Sequence, residues 1–267
     1  MPEALARLSD VTAGYEGHLV FDGLDLTIPA GQVVALCGPN GSGKSTALRV
    51  MRRLITPQSG AVEAVGKPLG DWGAKDLARQ IAMLSQSPDA PDELRVRDLV
   101  MLGRFPHRRA FRGPAQQDHD AVEQALRRTE MSDLGERPIA ALSGGQLQRA
   151  WIAMVLAQEA PAILLDEPTN HLDLAHSLEI LELLRSLNRE EGRSFVVVLH
   201  DLNMAARYAD HIVMFRAGRV AASGATGEVM TEEIIARVFG IDCSLFDHPL
   251  LGCPIVVPLA SSNARGP

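Results

Sequence analysis

Gly38, Gly43, Lys44 and Ser45 stand at the spacing G-x-x-x-x-G-K-[ST], within the stretch Gly38-Pro39-Asn40-Gly41-Ser42-Gly43-Lys44-Ser45-Thr46. This spacing acts first through its backbone. Glycines let successive N–H groups turn inward on an anion, and a helix starting at Lys44 would add the positive end of its dipole. The lysine ammonium then reaches the outer phosphates of a nucleotide, while the Ser45 hydroxyl is a hard oxygen ligand suited to Mg2+. The flanks agree. Val33-Val34-Ala35-Leu36-Cys37 reads as a strand entering the loop, and Thr46-Ala47-Leu48-Arg49-Val50-Met51 as the helix leaving it.

A second set of residues completes phosphoryl-transfer chemistry. Asp166 ends the apolar run Ala162-Ile163-Leu164-Leu165 and is followed by Glu167-Pro168, which predicts two carboxylates at the carboxyl edge of a sheet. Asp166 is placed to hold Mg2+, directly or through water; Glu167 can orient or deprotonate the water that attacks a γ-phosphate. His200 ends another apolar run and could donate to a γ-phosphate oxygen, with Asp201 suited to cap the helix that follows. Gln86, after Ile81-Ala82-Met83-Leu84, is a neutral donor and acceptor able to bridge Mg2+ and the attacking water.

Leu142-Ser143-Gly144-Gly145-Gln146 reads as a second anion-binding helix start, with Ser143 as N-cap and two glycines leaving the first N–H groups uncovered. It lies far along the chain from Lys44. A head-to-tail pair of copies, in which this segment closes over phosphates held by the other copy's loop, is the economical arrangement.

These residues need elements to position them. Residues 5–36 read as short strands, Leu5–Val11, Leu24–Ile28 and the strand entering the loop, with strand-like pieces at 60–66 and 80–85. Tyr15 is expected in the turn between the first two, where its ring either stacks on a base or packs as a surface residue. From Ser87-Pro88-Asp89-Ala90-Pro91 the pattern breaks into helical segments at about 96–103, 115–130 and 144–159. Among them Gly103-Arg104-Phe105-Pro106-His107-Arg108-Arg109 is a basic turn, read as a solvated loop or a partner contact. After Pro161 the runs Ala162–Leu165, Phe195–Leu199 and His211–Phe215 are continuously apolar, as strands buried on both faces of a parallel sheet are. Leu174, Leu178, Leu181 and Leu184 mark the buried face of an intervening helix.

Composition narrows the function classes. The 267 residues are 46% hydrophobic and 22% charged with a net charge of −7, which suits a globular chain and offers no basic footprint for nucleic acid. The longest apolar run, Ala150–Ala157, falls well short of the roughly 18 residues of a membrane span. Met1–Arg7 has no signal-peptide pattern, so a cytosolic location is expected. The three cysteines lack C-x-x-C spacing; neither a disulfide nor a metal site is assigned, and Cys37 is expected to be a buried thiol.

With Gly38–Thr46, Gln86, Leu142–Gln146, Ile163–Pro168, Asn170-His171-Leu172-Asp173 and His200 in this order, residues 5–240 resemble the nucleotide-binding subunit of an ATP-binding cassette transporter. The resemblance implies an α/β fold: a P-loop NTPase (RecA-like) core with an antiparallel β subdomain and an inserted α-helical subdomain. It divides the chain into 1–86 (β subdomain and phosphate-loop part of the core), 87–160 (helical signature subdomain), 161–240 (rest of the core) and 241–267 (extension, with a frayed tail from Ser261). It implies ATP and Mg2+ as ligands, with Tyr15 stacking on adenine and Gly38, Pro39, Asn40, Gly41, Ser42, Gly43, Lys44, Ser45 and Thr46 cradling phosphates. Ser143, Gly144, Gly145 and Gln146 would reach the ATP of the other copy, Asp173 would signal across the dimer, and Gln86 and His200 would act as switch glutamine and γ-phosphate sensor. Leu147 stands where many members carry a basic residue.

Gly103-Arg104-Phe105-Pro106-His107, His200-Asp201-Leu202-Asn203 and Phe239-Gly240-Ile241-Asp242 most resemble importer ATPases for iron-siderophore complexes, with haem and vitamin B12 importers as relatives. The implied partners are a second copy, integral membrane permease subunits and, indirectly, a substrate-binding protein, with the chain peripheral on the cytoplasmic face of the plasma membrane. The rival readings are a soluble cassette protein acting on nucleic acid or ribosomes, and an exporter ATPase. A single cassette without a long coiled coil speaks against the first; no residue here touches cargo, so direction and substrate rest on similarity.

Overall fold

A computed structural model describes residues 3–15, 17–86, 88–108 and 112–261. The readings made of Met1, Pro2, Ser87, Arg109 and 262–267 fall outside these residues. In chain order the strands and helices are β1 (Ala4–Tyr15), β2 (His18–Pro29), β3 (Val33–Cys37), α1 (Lys44–Met51), β4 (Ser59–Ala64), β5 (Lys67–Pro68), α2 (Ala74–Gln80), β6 (Ile81–Leu84), α3 (Val96–Leu102), α4 (Gln116–Arg128), α5 (Gly144–Ala157), β7 (Ala162–Leu165), α6 (Leu174–Glu191), β8 (Ser194–Val198), α7 (Leu202–Tyr208), β9 (His211–Arg216), β10 (Arg219–Ala225), α8 (Thr226–Val229), α9 (Glu232–Phe239), β11 (Ile241–Asp247) and β12 (Pro254–Ser261). The described residues of Met1–Asp71 and Ser194–Pro267 form one compact unit and those of Trp72–Arg193 a second.

The first unit contains an antiparallel sheet in the order β2-β1-β4-β5. β1 and β2 largely alternate buried and exposed residues, and near the middle of each the alternation slips: Leu8 is followed by Val11 as the next inward residue, and Phe21 by Leu24. Matching irregularities at Asp10 (φ 52°) and Gly23 (φ 71°) absorb the slip, with Asp10 N–H donating to Asp25 Oδ1 at 3.0 Å. Beside it, β3 runs parallel to both β8 and β9, and β10 turns back antiparallel on β9. Every residue of β3 and β8 is buried, as their unbroken apolar runs anticipate. α1 packs against β1 and β4.

Two features of this unit depart from the sequence reading. Tyr15 is not in a turn but ends β1, paired with His18. The segment after Gly240, read only as an extension, is an antiparallel hairpin of β11 and β12 against α9 and α7. Asn203 of α7 clips it, its Oδ1 accepting from Val256 N at 2.7 Å and its Nδ2 donating to Val256 O at 3.3 Å.

In the second unit β6 and β7 pair in parallel, while α5 packs on α3, α4 and β6. α2, a seven-residue helix, went unread because only Leu77 and Ala78 are buried in it and no apolar period shows. Along α6 the buried residues are Ile180, Leu181, Leu184, Leu187 and Asn188; of those expected on that face, Leu178 is half-buried and Leu174 is 65% exposed because it opens the first turn. The basic turn also needs correction. Whereas Phe105 beside it is 66% exposed, Arg104 is only 4% exposed, so its side chain is not solvated. Its Nε donates to Asp118 Oδ1 (3.0 Å) and its Nη1 to Ala157 O (2.7 Å) and Glu159 Oε2 (2.5 Å), tying the ends of α3, α4 and α5 together.

Candidate functional site

In the first unit, β3 delivers the chain into the loop and α1 takes it away. Gly43, the residue before α1, has φ 108°, and a Cβ there would sit 2.3 Å from Phe21 Cε1, so a side chain is excluded both by conformation and by space. Lys44 is buried and folds back over the loop, its Nζ donating to Gly38 O at 2.8 Å and Pro39 O at 2.9 Å. Ser42 Oγ is buried with no hydrogen-bond partner among the described residues. An orphaned hydroxyl within a glycine loop is the donor that a phosphate oxygen would satisfy, so the loop fits its expected anion. Asn40 and Gly41 are exposed, Pro39 and Ser45 half-buried, Thr46 buried.

Cys37 abuts this loop as a buried thiol; burial pushes its pKa up to about 12, against the opposing pull of Lys44, so it stays neutral. The parallel register pairs Leu36 with Val198, and Leu199 N–H donates to Leu36 O at 3.1 Å, which brings exposed His200 beside the strand that enters the loop. Asp201 caps α7 as expected, its Oδ1 accepting from Asn203 N and Met204 N. Tyr15 is held by α1: Arg49 Nη1 donates to its hydroxyl at 2.8 Å and the guanidinium lies 5.9 Å from the ring centroid.

In the second unit, the parallel register sets Leu84 against Leu165, and Asp166 N–H donates to Leu84 O at 3.0 Å. Asp166 is buried; Glu167 is half-buried with φ 54°, a left-handed conformation that costs a non-glycine residue and that is concentrated at functional sites. The Glu167 carboxylate is positioned by two amides. Oε2 accepts from Gln86 Nε2 at 2.6 Å and from Asn170 Nδ2 at 3.1 Å. The structure therefore brings Gln86 and Glu167 into direct contact. Asn170 had no assigned role, although its position three residues after Glu167, in a turn closed by Asn170 N–H to Glu167 O (3.1 Å), was a readable signal.

The signature segment opens α5 with a reciprocal cap: Ser143 Oγ accepts from Gln146 N at 3.3 Å and Gln146 Oε1 from Ser143 N at 3.1 Å. Ser143 and Gly144 are exposed, Gly145 buried. Asp173 caps α6. The His176 backbone N–H and then its ring hold the Asp173 carboxyl below the usual carboxylate range.

The geometry agrees with comparisons to known proteins. A family model described as ABC transporter matches residues 21–170. The Ferric enterobactin transport ATP-binding protein FepC of Escherichia coli (strain K12) is 45% identical over 261 residues, which is 97% of this chain and 96% of the relative. The Iron(3+)-hydroxamate import ATP-binding protein FhuC of Bacillus subtilis (strain 168) is 46% identical over 242 residues, 91% of this chain and 90% of the relative. Among solved structures, the dimeric post-hydrolysis state of the ATP-binding cassette MJ0796 bound to ADP and Pi matches with a TM-score of 0.72 at 31% identity, covering 83% of this chain and 98% of that one. With a phosphate loop, a strand-end carboxylate pair and a capped signature helix all present, the chain belongs to the ABC transporter family, as one of its ATP-hydrolysing subunits.

Proposed function

We propose that this chain hydrolyses ATP to import a ferric-siderophore-type iron complex through separate integral membrane permease subunits, which receive the complex from a substrate-binding protein. The observation that carries the catalytic part is the Glu167 carboxylate held by two amides, Gln86 and Asn170. The names of the FepC and FhuC relatives support the cargo class. Among the described residues no helix is long and apolar enough to cross a membrane. The chain then sits peripherally on the cytoplasmic face of the plasma membrane, with residues 87–160 pressing on the permease.

Lys44 and the loop amides hold the triphosphate, and Tyr15 stacks on the adenine. Glu167 accepts the proton of the attacking water, and Gln86 passes from Glu167 to that water as the site closes. His200 donates to the γ-phosphate. Ser45, Asp166 and the Gln86 amide each carry a hard oxygen that would suit Mg2+, which when bound would neutralise charge building on the phosphates. Ser143 to Gln146 and Asp173 serve the ATP of a second copy, so two chains close over two nucleotides and hydrolysis reopens them.

A strain lacking the chain, grown on defined iron sources and complemented with the parent or with Glu167→Gln, tests this reading. Growth on ferric siderophore alone should be lost, restored by the parent and not by the variant. Loss confined to a haem source, or full rescue by Glu167→Gln, would overturn it.

A further inference from the structure

The ring of His176 touches two segments at once. Its Nδ1 lies 2.8 Å from Asp173 Oδ1, the same oxygen that takes the His176 backbone N–H at 2.9 Å. On its other side the ring packs on the second residue of α5: a Cβ built on Gly145 would lie 2.6 Å from His176 Cδ2 and 2.9 Å from Cγ. A turn further along both helices, Arg149 of α5 donates to Glu179 of α6 at 2.5 Å, so the seam has a second fastening. Glycine at 145 is thus required by an imidazole of the same chain. The Asp173 side chain nonetheless stays 65% exposed.

We propose that His176 is a positioning residue which couples the turn at Asp173 to the start of the signature helix. With Nδ1 donating to Asp173 and the ring face resting on Gly145, neither segment can shift without the other. When Ser143 to Gln146 close on a triphosphate, Asp173 is carried with them into register. Replacing the ring would leave ATP binding to Lys44 and its loop intact but let the signature helix close without Asp173 in place. The loss belongs in turnover rather than affinity. A displacement of this kind lowers rates on the order of tenfold to a hundredfold. The inference rests on the proposed reading, in which these segments serve the nucleotide of a second copy.

The test compares His176→Ala and His176→Asn in the full chain assembled with its permease, measuring kcat and KM for MgATP alongside the melting temperature. Asparagine carries an N–H on the atom bonded to Cγ, where Nδ1 stands, and so can keep the bond to Asp173. His176→Ala should lose about tenfold or more in kcat with KM and melting temperature little changed, and His176→Asn should regain most of it. Gly145→Ala should cost less in the His176→Ala background than in the parent, because its methyl group then has room. Parental turnover in His176→Ala would overturn the proposal, as would His176→Asn no better than alanine with both folded, or additive effects of the two substitutions. Parental turnover in Glu167→Gln would instead strike the reading beneath it, whatever His176 does.

Discussion

Removing the Arg104 side chain should cost this protein far more than its place in a basic loop suggests. Arg104 and Asp118 are 4% and 6% exposed, so Arg104→Met leaves a carboxylate out of water that still accepts from Ala115 N–H at 2.9 Å but has lost its cation. Breaking one partner of a buried pair costs about 3–5 kcal/mol. The penalty should depend on pH. Burial alone would raise the Asp118 carboxyl, but Ala115 N–H and Arg104 outweigh it and hold its pKa below the ordinary value. A depressed carboxylate contributes stability that is whole above the unfolded pKa, about 3.9, and is lost as pH falls through the folded value. The gap between parent and Arg104→Met should therefore be widest near neutral pH and narrow below about pH 4. Urea denaturation followed by the fluorescence of Trp151, which is buried in α5, measures it. Arg104→Met with Asp118→Asn should recover about 1–4 kcal/mol, since no buried charge is left unpaired. A single variant within about 1 kcal/mol of the parent at pH 7, or a double variant no better than the single, would refute the reasoning.

Gly43→Ala should abolish nucleotide binding and lower stability by at least about 1 kcal/mol, because φ 108° and Phe21 at 2.3 Å both exclude a methyl group; isothermal titration and melting curves read the two losses. Thiol labelling of the folded protein at pH 8 should modify half-exposed Cys253 first and leave Cys37 untouched until unfolding, as expected of a thiol pushed up to about 12; mass spectrometry of labelled peptides locates the adduct.

Much of the site was legible because its chemistry is written locally. The loop around Lys44, the strand-end pair Asp166 and Glu167 and the cap at Ser143 each depend on residues within a few positions, and strands buried on both faces show as unbroken apolar runs. What escaped depends on distant partners. Arg104 reads as a surface cation until Asp118 and Glu159, 14 and 55 residues away, close around it. β12 buries only Val256, so no alternation marks it, and the Asn203 amide that pins it comes from 53 residues earlier. Leu174 satisfied the helical spacing yet lies exposed in the first turn, where periodicity cannot tell an end from a middle.

The central claim is that ATP is trapped between the glycine loop of one copy and the signature helix of another. Two variants, each in a Glu167→Gln background to stop turnover, test it directly: one carries Lys44→Ala, the other Ser143→Arg. Each alone should elute from gel filtration as a monomer without nucleotide. Their mixture with MgATP should yield a dimer retaining one ATP, because pairing them rebuilds a single intact loop-and-signature site. A mixture as empty and monomeric as its components would contradict the account.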